Sequence, residues 1–404
     1  MKLIYDTIFN TLKSIGIELY INHGIKRMND KDALDEIQSC LDCKSCLEVC
    51  DTYKVTKDEI KSPNGRLKIA EKIFNNRDVN DDEILGLYTC TLCAACDLVC
   101  QQSISISDII HSSKIKLVER NKAPLEIHNK IIRGIIEQDN SVGGKPEERL
   151  DWLPEQLKSE EIFEKDDSDT LLFFGCMSSF RVKESASAPY EILKHAGYDF
   201  KILENEPCCG EYIYSAGDLD TAKKTFKENI DLFKRIGVKN IVVTCAGCLY
   251  AFDKVYRKYF DDYKINVRHV VDVIHELEHE GKISLNHLNK TITYHDPCRL
   301  GRKYKNGPLF TEPRELLNNC GLVIKETAMN HKEAPCCGAG SGIRGVDSSI
   351  CINIGKDLFS SIETKEIVSS CPLCVFNFRY VNYKNQTNKE IHYITDYILE
   401  SMKK

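Results

Sequence analysis

No stretch of this 404-residue chain approaches the roughly 18 consecutive apolar residues that a membrane-spanning helix needs. Positive charge is not in excess. Lys and Arg number 55 against 61 Asp and Glu, for a formal charge of −6. That balance gives no field for nucleic acid, and the interleaving of the two signs is the pattern of a solvated surface. The opening residues, MKLIYDTIFNTLKSIGIELYINHG, contain no basic segment leading into an unbroken apolar run and no small-residue cleavage site. GAGSG at 338–342 lacks the strand–helix context of a dinucleotide fingerprint. With no flavin or nicotinamide fold legible elsewhere, such cofactors are expected only on partners. These absences predict a reduced, cytoplasmic protein with no transmembrane segment of its own, able to sit on the inner face of a membrane through a partner protein.

Cysteine is the opposite case, with twenty in the chain. Ten disulfides are a poor explanation, because dense bridging belongs to small secreted domains. Eighteen of the twenty instead fall into two motif types, each used twice. Cys40, Cys43, Cys46 and Cys50 form C-x2-C-x2-C-x3-C, and Cys90, Cys93, Cys96 and Cys100 repeat it fifty residues later. Cys176, Cys208, Cys209, Cys245 and Cys248 form a five-cysteine set, repeated by Cys298, Cys336, Cys337, Cys371 and Cys374. Soft thiolates at such spacings select iron–sulfur clusters.

In the four-cysteine motif, three thiolates from one loop reach three corners of a cubane, and the fourth points away. In two-cluster ferredoxins that fourth cysteine serves the other cluster. Cys40, Cys43 and Cys46 are therefore expected to pair with Cys100, and Cys90, Cys93 and Cys96 with Cys50. The proline that usually follows the fourth cysteine is absent, with Asp51 and Gln101 in its place. In the five-cysteine motif a tetrahedral zinc ion would use four thiolates and leave one over. Adjacent cysteines such as Cys208 and Cys209 reach different irons of a larger cluster more easily than one small ion. Both possibilities stand on the spacing alone.

The rest of the chain predicts an N-terminal helical segment over 1–38, with an apolar stripe at Ile4, Ile8, Leu12, Ile15 and Leu19. A mostly helical two-cluster ferredoxin domain follows over 39–112, then a helical linker over 113–168, of which EQLKSEEIFEKDDSD is its exposed end. Beyond it, short β-rich runs (TLLFFGC, FKILENEPCC, NIVVTC, then TITYHDPC, LVIKETAM, EIVSSC) alternate with helical stretches. That alternation predicts α/β units on parallel sheets, with the cysteines at the carboxyl ends of strands. Equivalent cysteines of the two sets lie 122 (Cys176 to Cys298), 128 (Cys208 to Cys336) and 126 (Cys245 to Cys371) residues apart. So long a repeat is a duplicated domain, expected over 169–286 and 287–404 and related by a pseudo-two-fold axis.

GCMSS, EPCCG and TCAGC, then HDPCRLGR, APCCGAGSG and SCPLC, resemble the duplicated CCG domains of the heterodisulfide reductase family. With the ferredoxin segment before them, the layout resembles its D-type subunit over residues 38–390. SPNGR resembles the SPRGR segment common in that family and in the related iron–sulfur subunits. The resemblance implies two cubane [4Fe-4S] clusters in the ferredoxin segment and a non-cubane [4Fe-4S] cluster in each CCG domain. It further implies that the five-cysteine sets reduce a disulfide, that of coenzyme M and coenzyme B or a similar one. The electron source would be a membrane cytochrome b, a ferredoxin or a flavoprotein. The alternative from the same relatives is an electron-transfer subunit of a flavin-dependent glycolate, lactate or glycerol-3-phosphate dehydrogenase. His295 and Asp296, beside Cys298, are candidate proton donors or loop-shaping groups. Arg299 and Arg302 are candidate anion-binding or salt-bridged residues. Cys320 and Cys351 match neither motif and are expected to be ordinary buried thiols.

Overall fold

The computed structural model describes residues 28–160, 168–304 and 307–403. The stripe from Ile4 to Leu19 and the end of the expected linker, 161–167, lie outside them. After the helix Asp30–Gln38 come two near-identical loops. The first runs from Cys40 into the helix Ser45–Glu48, with Asp42 at φ 52° and Lys44 at φ 62°. The second runs from Cys90 into Ala95–Leu98, with Leu92 at φ 52° and Ala94 at φ 62°. None of the four is glycine, so each loop holds two costly left-handed residues, at on the order of 1–3 kcal/mol each. Their shared backbone path is what brings three thiols of one loop to one side.

Between the loops, SPNGR forms a helix start. Ser62 Oγ accepts the Gly65 N–H at 2.9 Å, Pro63 occupies the first turn, and the helix continues to Phe74. Leu67, Ala70 and Ile73 of this helix pack with Ile106, Ile109 and Ile110 of the helix Ile106–Glu119, giving the ferredoxin segment its own core.

Each repeat is a parallel sheet with helices. The first has the order β1 (Thr170–Phe173), β2 (Asn240–Val243), β3 (Asn266–His269). The second has the order β5 (Val323–Ile324), β4 (Thr291–His295), β6 (Glu366–Ser369), β7 (Glu390–Tyr393). β1 corresponds to β4 and β2 to β6. The partner of β5 in the first repeat is the single parallel bridge of Lys201 to Leu171. The expected strand over FKILENEPCC is thereby reduced to one residue, since the chain leaves the sheet before Pro207 to bring Cys208 and Cys209 under its edge. LVIKETAM likewise yields only Val323–Ile324. β3 and β7 carry no clear sequence signal, because Arg268 and His392 interrupt runs already only four residues long.

Helices fill in as the pattern predicts. Over Leu219–Arg235, Ala222, Phe226, Ile230 and Phe233 recur on one face and are buried. Asp218 accepts the Thr221 N–H at the start, and Gly237 follows the end at φ 70°. Cys176, Cys245, Cys298 and Cys371 each stand just beyond the carboxyl end of β1, β2, β4 and β6 respectively.

Gly65 offers a direct test of this packing. A Cβ there would sit 1.9 Å from the Glu59 carbonyl oxygen, a backbone atom that cannot swing away. Gly65→Ala is expected to destabilise the protein by about 1–3 kcal/mol, the usual range for overpacking. A lower denaturant midpoint under anaerobic conditions would register it.

Candidate iron–sulfur sites

The four-cysteine loops exchange their last members. Cys40, Cys43 and Cys46 line one space together with Cys100. Cys90, Cys93 and Cys96 line another together with Cys50. The grouping is the one expected from the motif. The first, outer quartet has Cys43 exposed and its other members half-buried, whereas Cys90 and Cys96 of the inner quartet are buried. SPNGR serves both quartets. Asn64 Nδ2 lies 3.9 Å from Cys40 Sγ, and Arg66 Nη1 lies 4.0 Å from Cys50 Sγ.

The five-cysteine sets are built alike. In the first, thiol contacts run Cys176–Cys208–Cys209–Cys248–Cys245. In the second they run Cys298–Cys336–Cys337–Cys374–Cys371, the same order of equivalent positions. Hydrogen bonds from neighbouring thiols hold Cys209 down at about 6 and Cys337 well below the usual thiol range. Gly175 stands where a Cβ would lie 2.8 Å from Cys248 Sγ, so only glycine lets the backbone pass. A buried asparagine fixes each adjacent pair. Asn229 Nδ2 donates to the Cys208 carbonyl at 2.8 Å, and Asn377 Nδ2 to the Cys337 carbonyl at 2.7 Å.

Two further contacts join the sets end to end. Cys93 of the inner quartet meets Cys336, and Cys245 meets Cys371. Cys245 and Cys371 are equivalent positions, and equivalent groups meeting is what a two-fold relation between copies produces. In space the inner quartet therefore adjoins the second set, and the second set adjoins the first.

All five cysteines of the first set line a cavity of about 450 Å³. Its other walls include Ile131, Met177 and Arg181, with Arg344, Leu373 and Phe376 from the second repeat. Arg344 lies over the Tyr380 ring at 3.8 Å. A cavity of about 430 Å³ elsewhere, lined by Tyr190, Lys194 and Met402, contains no cysteine.

His295 is buried edge-on to Phe378, and burial lowers its pKa, which makes it a neutral neighbour of Cys337. Asp296 is fully engaged. It takes both Arg314 terminal nitrogens at 2.8 Å and the His331 N–H at 2.8 Å, a loop-shaping role. Arg299 lines the cavity but is paired with Glu211. Arg302 donates to the carbonyls of Cys93, Lys332 and Ala334, tying the second repeat to the inner loop. Cys320 and Cys351 are buried, outside both motifs. Asp51, in the place of the usual proline, accepts the Cys336 N–H at 2.6 Å across the domain boundary. The missing proline was the only sequence signal for that bond.

The donor set fits iron–sulfur clusters. Each site gathers four or five thiols in one place, and each five-thiol chain is too large for one tetrahedral ion. Thiol sets gathered from an exposed loop to a cavity define an electron-carrying iron–sulfur oxidoreductase. Family models agree: a 4Fe-4S dicluster domain matches residues 36–104, and a cysteine-rich CCG domain matches 170–253 and again 292–379. An uncharacterised iron–sulfur protein of Methanocaldococcus jannaschii is 30% identical over 370 residues, 88% of this chain and 71% of that protein. The D component of the dihydromethanophenazine:CoB–CoM heterodisulfide reductase of Methanosarcina mazei is 27% identical, covering 85% of this chain and 88% of the relative. The B component of the CoM/CoB fumarate reductase of Methanothermobacter marburgensis is 26% identical, covering 91% and 73%. The chain belongs to the heterodisulfide reductase D-type family of iron–sulfur oxidoreductase subunits, in which a two-cluster segment precedes two CCG domains.

Asp51→Ala would leave the buried Cys336 N–H without an acceptor, at a cost of about 1–3 kcal/mol. Asp51→Asn, which keeps an acceptor oxygen, should recover most of the loss in the same anaerobic denaturant titration.

Proposed function

We propose that the chain is the disulfide-reducing subunit of a larger oxidoreductase. Cys40, Cys43, Cys46 and Cys100 would hold one cubane, and Cys90, Cys93, Cys96 and Cys50 the other. The ten cysteines of the two five-membered sets would hold two non-cubane [4Fe-4S] clusters. Bound there, such clusters carry single electrons and supply electrophilic irons to sulfur. The overall reaction takes two electrons and two protons per disulfide and yields two thiols. The disulfide of coenzyme M and coenzyme B, the two coenzymes for which both of these methanogen relatives are named, is the first candidate substrate. A membrane cytochrome b, ferredoxin or flavoprotein would supply the electrons.

The observation that carries this reading is the cavity against Cys176, Cys208, Cys209, Cys245 and Cys248. A cluster held by those five thiols would take part of this space, and a protein that only relays electrons between partners has no need of the remainder, walled by Ile131, Leu373, Phe376, Arg181 and Arg344. The apolar walls contributed by Ile131, Leu373 and Phe376 would exclude water and hold a thioalkyl arm, while Arg181 and Arg344 would face anionic ends of the substrate. Gly175 and Asn229 would fix the sulfur positions against which the disulfide is aligned.

Anaerobically purified protein is expected to contain about sixteen irons per chain if all four sites hold [4Fe-4S] clusters, and about eight if the quartets alone do. About eight irons with zinc making up the rest would end the disulfide proposal. With full iron, viologen-reduced protein should consume the mixed coenzyme disulfide without any flavin subunit. Cys209→Ser should reduce that turnover by at least tenfold while the quartet signals persist. Failure of the wild-type protein with every disulfide tried would leave the flavin-dehydrogenase relay as the better account.

A further inference from the structure

Three cations stand around the inner quartet, each set against a different cysteine, Arg66 and Lys114 buried and Arg302 half-buried. Arg66 is 1% exposed, and its partners are Cys50 Sγ at 4.0 Å, the Gly86 carbonyl at 2.8 Å and Thr89 Oγ1 at 3.2 Å. No carboxylate is among them. Arg302 bonds only carbonyls, one of them that of Cys93, and its charge favours the Cys93 thiolate. Lys114 is fully buried, donates to Ser341 Oγ at 2.8 Å, and feels the charge of Cys90. Two carboxylates share the region, and both are already engaged. Asp51 takes Lys54 Nζ at 3.3 Å besides the Cys336 N–H. Asp97 accepts from Cys96 Sγ at 3.5 Å, and its own charge is met by the N–H and the hydroxyl of Ser107 and by Lys303.

The outer quartet is furnished differently. Its polar contacts are neutral, Asn64 on Cys40 and Ser45 on Cys43. The charged group acting on Cys43 is the carboxylate of Asp42, whose Lys68 partner stands 3.8 Å away at the surface.

One-electron reduction adds one negative charge to a cluster site. Burial opposes that charge, because water is excluded from around it, and a nearby buried cation favours it. By burial alone the inner quartet would be harder to reduce than the outer, and electrons would stop at the entrance. Resting on the cluster assignment above, we propose that Arg66, Arg302 and Lys114 form a cation cage that raises the potential of the inner quartet to at least that of the outer. The cage thereby directs electrons inward from a one-electron protein donor docked at Cys43. Each step moves one electron, oxidising the outer site and reducing the inner, with no bond made or broken. These three are tuning residues and touch no substrate.

The test is an anaerobic redox titration of the full chain followed by electron paramagnetic resonance. Cys43→Ser identifies the outer signal as the one it alters. Arg66→Met is expected to move the midpoint of the other signal to lower potential and leave the outer one in place, with Arg66→Lys restoring most of the shift. Arg302→Gln should move the same signal in the same direction, and it carries the test if Arg66→Met loses iron. Intact iron content with an unmoved inner midpoint, an upward shift, or a shift confined to the outer signal would overturn the cage. A wild-type protein lacking two reducible [4Fe-4S] signals of the quartets would instead overturn the cluster assignment, and the cage with it.

Discussion

Most of the eighteen motif cysteines are buried or half-buried, and burial favours the neutral thiol where binding iron would need the thiolate. That conflict governs the rest of the structure. Burial pushes the Cys46 thiol up to about 12 and Cys50 to about 11, and holds Cys96 well above its ordinary value. A bound cationic iron group would reverse the balance, so that loading and deprotonation would be one event. Much else follows from holding sulfur atoms in place for that event. Non-glycine residues accept left-handed backbone in both quartet loops, Gly175 clears a path for Cys248, and buried asparagines pin the adjacent pairs.

The ferredoxin segment is locked onto both repeats, which makes the path through the thiol sets a fixed one. From the helix Ile106–Glu119, His111 bonds the Tyr214 carbonyl at 2.6 Å in the first repeat. One turn on, Lys114 reaches the Ser215 carbonyl and Ser341 of the second. Tyr88 OH donates to the Ala216 carbonyl at 2.8 Å. Asp51 and Arg302 complete the junction at Cys336 and Cys93. Nearly all these groups are buried and hydrogen-bonded, so removing one leaves its partner unsatisfied.

Motif spacing makes the candidate sites legible to a degree the sheets are not. Metal-type cysteines must keep fixed intervals, and the exchange of Cys50 and Cys100 between loops follows from the way a helical turn redirects the fourth thiol. β3 and β7 escape a sequence reading because four residues interrupted by Arg268 or His392 carry no clear alternation, and their pairing is decided by neighbouring strands. FKILEN fails for a related reason: its apolar residues are buried, but only Lys201 makes the bridge. The contacts between domains leave weaker traces. Asp51 is visible only as a missing proline, and Arg66 only as part of SPNGR. Arg302 reads in sequence as an anion-binding or salt-bridged residue, yet its carbonyl partners come from segments far apart along the chain. No local pattern encodes such a meeting.

Duplication supplies two similar five-thiol sets, and their surroundings make them unequal. Cys336 has Cys93 of the inner quartet beside it, whereas the equivalent Cys208 belongs to a set that lines the cavity. The second set thus stands between a wire and its copy, linked to the copy through Cys371 and Cys245. A two-fold pair of identical sites has no preferred direction. Cys93 beside Cys336 at one set, and the cavity in front of the other, make the two ends of the pair different. The residues that create this difference, Asp51 and Arg302 at one end and the cavity walls at the other, lie outside the repeated cysteine motif. The cysteine pattern alone would describe two equal sites, and it is the residues around it that make them different.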